Sequence, residues 1–498
     1  MPKKPLKILL AASELDPLAK TGGLADVTAA LAKRLVNDGH EVKVFLPKYK
    51  SVYQTGVKGQ PGSETIQIGV GEDLLTARWE VYHQKPGGYD VVLVVNDPLF
   101  HRAHLYKDPS TGLDYQDNDT RFIFFSKATL EITKRMGWRP DVIHVNDWQT
   151  ALIPAYLKST HKNEPCFSET SSLLTIHNVA YQGIFDRGSF RKLGVGEEFW
   201  VHPSPFEYWG KVNFLKAGIQ FADYITTVSE RYAVEMQSTH EYGYGLEGVL
   251  RERNTDIHGI LNGVDYDIWS PATDTLIAER YDADDLRGKK ACKQAFLKKV
   301  GLPSSRDKAL IGMITRLVDQ KGVELFLEIA DDILGLDVEM VVLGDGDSRY
   351  VKALQAAQAR HPKKFKLFIG FDNTLAHEIE AACDIYLMPS RYEPCGLNQM
   401  YSLRYGAAPI VRETGGLADT IIDYSRDPER GVGFVFQQYS SDELLDAFCR
   451  ALDLYNGDKS TWKKLITRGM RLDFSWERST AKYIDLYRKA MRPAVQVA

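Results

Sequence analysis

Arg316 and Lys321 stand five residues apart in Ile314-Thr-Arg-Leu-Val-Asp-Gln-Lys-Gly, directly after the apolar run Ala309–Ile314. Two cations at that spacing across a turn can converge on one diphosphate, each charge-assisted hydrogen bond contributing roughly 1.5–3 kcal/mol. Their kinetic value is larger, because a departing diphosphate gains charge as its bond breaks. Glu393 lies in Ser390-Arg-Tyr-Glu-Pro-Cys-Gly-Leu, after the run Ile385–Met388. A carboxylate there can accept hydrogen bonds from sugar hydroxyls or simply cap the following helix. Pro394 and Gly396 bend the loop, and the helix after Leu397 offers N–H groups to an anion or a hydroxyl. Cys395 has no His or Asp beside it in sequence and reads as structural.

The hexapeptide Thr-Gly-Gly-Leu-Ala-Asp occurs twice, at Thr21–Asp26 and at Thr414–Asp419. Each copy follows a short apolar run and opens a helical pattern. A Gly-Gly pair there leaves backbone N–H groups uncovered at a positive helix end. Gly22, Gly23 and Asp26 with Thr414, Gly415 and Gly416 are therefore expected to form two similar anion cradles, one per half of the chain. His177-Asn178 follows the run Leu173–Ile176, and His144 with Asn146-Asp147-Trp148 follows Val142–Val145. His, Asn, Asp and Trp at two neighbouring strand ends resemble the composition of a carbohydrate site, with Trp148 available either to stack on a pyranose or to face the core.

Those positions depend on the elements around them. Short apolar runs alternate with helical periodicity throughout, the signature of an α/β protein with parallel sheets. Strands are expected at Lys7–Ala12, Val42–Leu46, Val91–Val95, Val142–Val145, Leu173–Ile176 and Tyr224–Val228, then at Ala309–Ile314, Glu339–Leu343, Lys366–Phe368, Ile385–Met388 and Pro409–Val411. Expected helices include Leu24–Asp38, Thr120–Met136, Trp148–Lys158, Val323–Leu334 and Gln399–Arg404. With 498 residues, two domains are the default. The Asn262-Gly263 pair marks the seam, giving domains 1–262 and 263–476, with a final helix in 477–498 returning to the first lobe. Doubly wound lobes bind ligands outside the carboxyl ends of their strands, where nearly every residue named above lies.

The bulk composition excludes several classes. The chain is 44% hydrophobic and 26% charged, with a formal net charge of −4, so it is no dedicated nucleic-acid or membrane-surface binder. Its five cysteines are scattered and form no C-x-x-C pair, which fits reduced thiols in a cytoplasmic protein and argues against a zinc site. No run is long enough to span a bilayer, and the first strand begins too early for a leader. Gly344-Asp345-Gly346-Asp347 lacks both the third glycine and the distal acid of a dinucleotide fingerprint, which disfavours hydride transfer.

With these motifs assembled, the chain resembles the bacterial glycogen and starch synthases of the retaining GT-B glycosyltransferases, nearly end to end. The resemblance rests on Lys20-Thr-Gly-Gly-Leu-Ala-Asp-Val, His144-Val-Asn-Asp-Trp, His177-Asn-Val-Ala-Tyr-Gln-Gly and Asn213-Phe-Leu-Lys-Ala-Gly. It continues through Leu261-Asn-Gly-Val-Asp, Thr315-Arg-Leu, Lys321-Gly, Ser390-Arg-Tyr-Glu-Pro-Cys-Gly-Leu and Thr414-Gly-Gly-Leu-Ala-Asp-Thr. It implies a GT-B fold, two Rossmann-like lobes facing each other across a deep cleft. It also implies transfer of glucose from ADP-glucose to the nonreducing 4-hydroxyl of an α-1,4-glucan, with retention and with no metal or other cofactor.

By the same resemblance, Lys20 and Gly23 lie by the donor's diphosphate and glucose, and Arg316 and Lys321 hold the leaving diphosphate. His177 contacts the transferred glucose, and Glu393 its hydroxyls, assisted by backbone groups of Cys395, Gly396 and Leu397. Asn262 lines the donor sugar, Asp147 faces the acceptor side, and Tyr115 borders the cleft. Three positions depart from the pattern: Gln149 where relatives carry His, Phe371 where they often carry Tyr against the adenine, and Asn398 for a common Thr near the phosphates. The implied mechanism is front-face displacement, since no motif builds the carboxyl pair about 5 Å apart of a retaining hydrolase. A UDP-glucose-using or small-glucoside-forming transferase, and a noncatalytic glucan-binding relative, are the competing readings.

Overall fold

The computed structural model describes residues 4–84, 87–303 and 308–491. The chain divides into two compact units. One holds the chain up to Val228, Ala233–Ile260 and the stretch from Trp476; the other holds Ser229–Tyr232 and Leu261–Ser475.

The first unit is built on a ten-stranded sheet. Its parallel part runs, in spatial order, Ile257–Gly259, Tyr224–Thr227, Ser171–Ile176, Val142–Asn146, Lys7–Ala11, Glu41–Pro47 and Asp90–Val95. Ile8, Leu9 and Leu10 in one strand and Val142 and Ile143 in its neighbour are at most 1% exposed, as strands covered on both faces require. Chain order reverses between Lys7–Ala11 and Val142–Asn146, so the loops leaving these two strands flank the switch point where doubly wound sheets bind ligands. Beyond Asp90–Val95 the sheet turns antiparallel through Asp73–His83, which also pairs with Ile66–Val70. This ribbon escaped the sequence reading because its charged residues sit between the apolar ones.

In the second unit six parallel strands run Phe365–Ile369, Val338–Gly344, Ala309–Ile314, Ile385–Met388, Ala408–Arg412 and Phe434–Phe436. Alternate residues of one strand enter opposite cores: Ile311 and Met313 join Val342 and Leu387 on one face, while Leu310 joins Val341 and Tyr386 on the other. The switch point lies between Ala309–Ile314 and Ile385–Met388. Phe434–Phe436 and the helices Ser441–Gly457 and Lys459–Met470 complete the unit without having been expected individually.

Two expected helices are broken. Trp148–Lys158 is Asp147–Thr150 followed by Leu152–Lys158, and Val323–Leu334 is Val323–Glu328 followed by Ala330–Gly335. Asn262-Gly263 forms no hairpin; Val264 bridges Ser475 in parallel instead. The last helix, Trp476–Ala490, packs in the first unit, where the Tyr487 hydroxyl lies 2.7 Å from His144 Nδ1 and Ser171 Oγ donates to Ala490 O at 3.0 Å. Of the expected segment 477–498, residues 492–498 lie outside the described residues. Among the described residues no helix is long and apolar enough to cross a membrane.

Candidate functional site

In the second unit the two switch-point loops meet. Gly322 adopts φ +66°, and a Cβ there would lie 2.0 Å from Pro389 O, so glycine is needed both for the turn and for the close approach of the loops. Arg391 N donates to Gln320 O at 2.9 Å, lacing the same loops together. The consequence is a 2.6 Å ion pair between Lys321 Nζ and Glu393 Oε2, the latter oxygen also accepting from Ser390 Oγ at 2.9 Å. Glu393 is 5% exposed. Arg316, on the same strand end as Lys321, is exposed and makes no side-chain hydrogen bond or ion pair among the described residues. One cation is thus held by a buried carboxylate and the other is available to an incoming anion.

Gly396 follows with φ +70°, and any Cβ would meet Gln399 Oε1 at 2.4 Å. Burial pushes the Cys395 thiol up to about 12, so it stays protonated; Asn262 touches it through backbone and side chain. That thiol is no nucleophile. Asn262 is 5% exposed and its Oδ1 is buried without a partner among the described residues. An unmet acceptor costs about 1–3 kcal/mol, which a ligand hydroxyl would recover. Asn398 spends its amide inside the protein, donating to Ile314 O at 2.9 Å and to the Tyr386 hydroxyl at 2.6 Å, which ties the loop to both switch-point strands. Phe371, 83% exposed, stands apart beyond the edge strand Phe365–Ile369.

The second hexapeptide is not the bare cradle expected of it. Thr414, Gly415 and Gly416 are buried. Gly416 N donates to Glu393 O at 3.0 Å and to Pro394 O at 3.2 Å. A Cβ on Gly415 would fall 1.9 Å from Glu393 O, and one on Gly416 would fall 2.0 Å from Cys395 O. These glycines let the helix Gly415–Thr420 press against the Glu393–Cys395 backbone and so support the Lys321–Glu393 pair from behind.

The first hexapeptide also departs from expectation. The Glu14 carboxylate accepts from Thr21 N at 2.6 Å, Thr21 Oγ1 at 2.6 Å and Gly22 N at 3.1 Å, so an internal anion already holds these amides. Lys20 is exposed and pairs with Asp26 at 2.5 Å and Asp16 at 3.4 Å. Tyr115 donates its N–H to Tyr106 O at 3.0 Å, and its ring lies under the guanidinium groups of Arg102 and Arg121 at 4.8 and 5.1 Å.

Across the switch point, Asp147 adopts φ +54°, an unusual backbone for a residue other than glycine. Its carboxylate accepts from His177 N at 2.7 Å and from Asn178 N, and burial raises it to about 7. His177 Nε2 lies 2.9 Å from Asn146 Oδ1, while Asn146 Nδ2 donates to Ala11 O at 3.1 Å. This network places the proton on Nε2 and leaves Nδ1 an acceptor. Burial lowers the ring to about 4, so His177 is neutral at pH 7 and can accept from a sugar hydroxyl.

Two candidates leave the site. His144 is 1% exposed and lowered by burial to about 3, its ring nitrogens engaged by Tyr487 and by Thr175 Oγ1 at 2.6 Å. Trp148, 7% exposed, packs edge-on against Phe122 with ring centroids 4.9 Å apart, and a Cβ on Gly183 would strike it at 2.4 Å. It is a core residue, not a sugar platform. Gln149 is likewise buried, with Oε1 unpartnered among the described residues. Asn146, singled out in sequence, is the group that orients His177, whereas sequence reasoning gave no role to Glu14, Ser390 or Tyr386; an acid two residues past the end of the first expected strand was the one visible signal for Glu14.

Residues 7–252 match the family model described as the starch synthase catalytic domain, and residues 296–466 match glycosyl transferases group 1. The chain is 44% identical to a glycogen synthase of Moorella thermoacetica, covering 98% of this chain and 97% of that protein. It is 42% identical to a glycogen synthase of Thermotoga maritima, covering 98% and 99%. Among solved structures it is similar to the catalytic domain of starch synthase IV from Arabidopsis thaliana bound to ADP and acarbose, with TM-score 0.89, 32% identity, and 98% and 100% of the two chains covered. Two parallel-sheet units with site residues on their switch-point loops, and kinship over nearly the whole length, give one conclusion: the chain belongs to the glycogen and starch synthase family of GT-B glycosyltransferases.

Proposed function

We propose that the protein transfers glucose from ADP-glucose to the nonreducing 4-hydroxyl of an α-1,4-glucan, retaining the α configuration. The observation that carries this reading is the pairing of Lys321 with buried Glu393 at the second switch point, beside an uncommitted Arg316. The ADP and acarbose bound by the Arabidopsis starch synthase IV domain support the nucleotide and glucan classes.

In the proposed step the acceptor O4 forms a bond to glucose C1 as the bond from C1 to the diphosphate oxygen breaks. The hydroxyl proton passes to the departing phosphate oxygen, and ADP leaves. Arg316 and Lys321 meet the charge that grows on the diphosphate, which makes their contribution largest in the transition state. In the second unit Glu393 orients Lys321 and, with the unmet Asn262 oxygen, offers acceptors to sugar hydroxyls; in the first unit the neutral His177 Nδ1 is such an acceptor. The reading assigns no step to a metal or another cofactor.

Incubation of the protein with ADP-glucose and a short maltooligosaccharide tests it. One-glucose extension through new α-1,4 links, with matching ADP release, is expected. Faster extension with UDP-glucose would move the donor assignment, and glucan binding without ADP release would end the catalytic reading.

A further inference from the structure

Glu14 is 4% exposed and sits at the first switch point. Four neutral donors converge on its carboxylate: Thr21 N, Thr21 Oγ1, Gly22 N and the Tyr106 hydroxyl, the last at 2.9 Å. The Tyr106 hydroxyl in turn lies 2.7 Å from Ser13 Oγ. Among the described residues no Lys or Arg forms an ion pair with Glu14. A buried carboxylate supplied only with neutral donors depends on hydrogen bonds alone to offset the desolvation of its charge. That charge is also felt at Asp26 and Asp147, both in the first unit.

The arrangement does two things to the turn that precedes the helix Gly23–Asn37. It orders the Thr21-Gly22 backbone, whose glycine would otherwise be free: a Cβ at Gly22 meets nothing within 4 Å, so packing does not fix it. It also engages two backbone amides and one hydroxyl of that turn at once, so the turn cannot shift without breaking all three bonds. We infer that Glu14 is a positioning residue for glycosyl transfer, a clamp that fixes the Thr21-Gly22 turn in its bound geometry. The inference rests on the transferase reading above, and its test separates the two.

Glu14→Ala, Glu14→Gln and Tyr106→Phe are compared with wild type by hydrogen exchange over residues 15–24 and by kcat and KM for donor and acceptor. Glu14→Ala is expected to speed exchange at Thr21 and Gly22 at least about tenfold, with other segments unchanged. It is expected to lower kcat about 30- to 100-fold, leaving KM for the donor within about threefold. Glu14→Gln, which still accepts from both amides, is expected to restore exchange protection and bring kcat to within about tenfold of wild type. Tyr106→Phe removes one donor of the four and is expected to cost about three- to tenfold in kcat. Should Glu14→Ala fail to fold, the other two variants decide. Unchanged exchange at the turn, or kcat within about threefold of wild type in Glu14→Ala, overturns the inference; for the milder variants, Tyr106→Phe indistinguishable from wild type in both readouts does the same. If wild type transfers no glucose, the transferase reading falls, while the exchange data still decide whether Glu14 clamps the turn.

Discussion

The same six residues are used for opposite physical ends in the two halves of this chain. At Thr21–Asp26 a Cβ on Gly22 would meet open space, and the turn is held by an outside carboxylate. At Thr414–Asp419 a Cβ on Gly415 or Gly416 would fall within 2.0 Å of a backbone carbonyl oxygen of the neighbouring loop, so the two backbones lie in direct contact. One copy is glycine for access; the other is glycine for contact. Identical sequence thus specifies the strand-to-helix turn, while the neighbouring loop decides what the turn is for.

The comparison breaks first, if it breaks, at the residues the second copy supports. Arg316→Ala and Lys321→Ala are each expected to lower turnover by roughly 10²–10³ at saturating donor. They should differ in stability. Lys321→Ala leaves buried Glu393 without its cation and should cost about 3 kcal/mol in denaturant titration, whereas Arg316→Ala should stay within about 0.5 kcal/mol. Near-normal turnover by both folded variants would remove them from the mechanism.

Gly416→Ala should cost about 3 kcal/mol, because backbone rather than a flexible side chain must yield. The same melt on Gly22→Ala should move by no more than about 0.5 kcal/mol. Equal losses in the two would refute the contrast between access and contact.

Asp147 sharpens the picture of the first unit through its pH dependence. Its folded carboxyl titrates near 7, above its ordinary range, so the folded state holds the proton more tightly than the unfolded state. That contribution to stability is present below about pH 4 and is lost as pH rises toward 7. Neutral His177 acts in the opposite sense over nearly the same window, since its lowered pKa costs stability as pH falls from about 6.5 toward 4. Asp147→Asn should therefore gain on wild type by on the order of 1 kcal/mol per pH unit between about 4 and 7. A difference curve flat with pH would show that Asp147 does not titrate there.

Much of this was legible in the sequence, for definite reasons. Ala309–Ile314 and Ile385–Met388 are continuous apolar runs, so their ends, and with them Lys321 and Glu393, could be placed at loop mouths. That these two side chains touch was not legible, because strand order brings together loops 72 residues apart. The Glu14 clamp stayed hidden for a related reason: an acid in a loop looks solvated until the fold buries it. Trp148 shows the reverse error, an aromatic in polar company that Gly183 and Phe122 enclose. The ribbon Asp73–His83 alternates as a strand should, yet its charges masked the period.

The return of Trp476–Ala490 to the first unit has a consequence for biogenesis. During synthesis the amino-terminal sheet emerges early, but Tyr487 and Ala490, which bond His144 and Ser171, are translated only after the whole second unit. The second unit, whose strands all lie within one uninterrupted stretch, is complete in sequence before that helix begins. A chain stopped after Ser475 would release a finished carboxyl-terminal half tethered to an unsealed amino-terminal one.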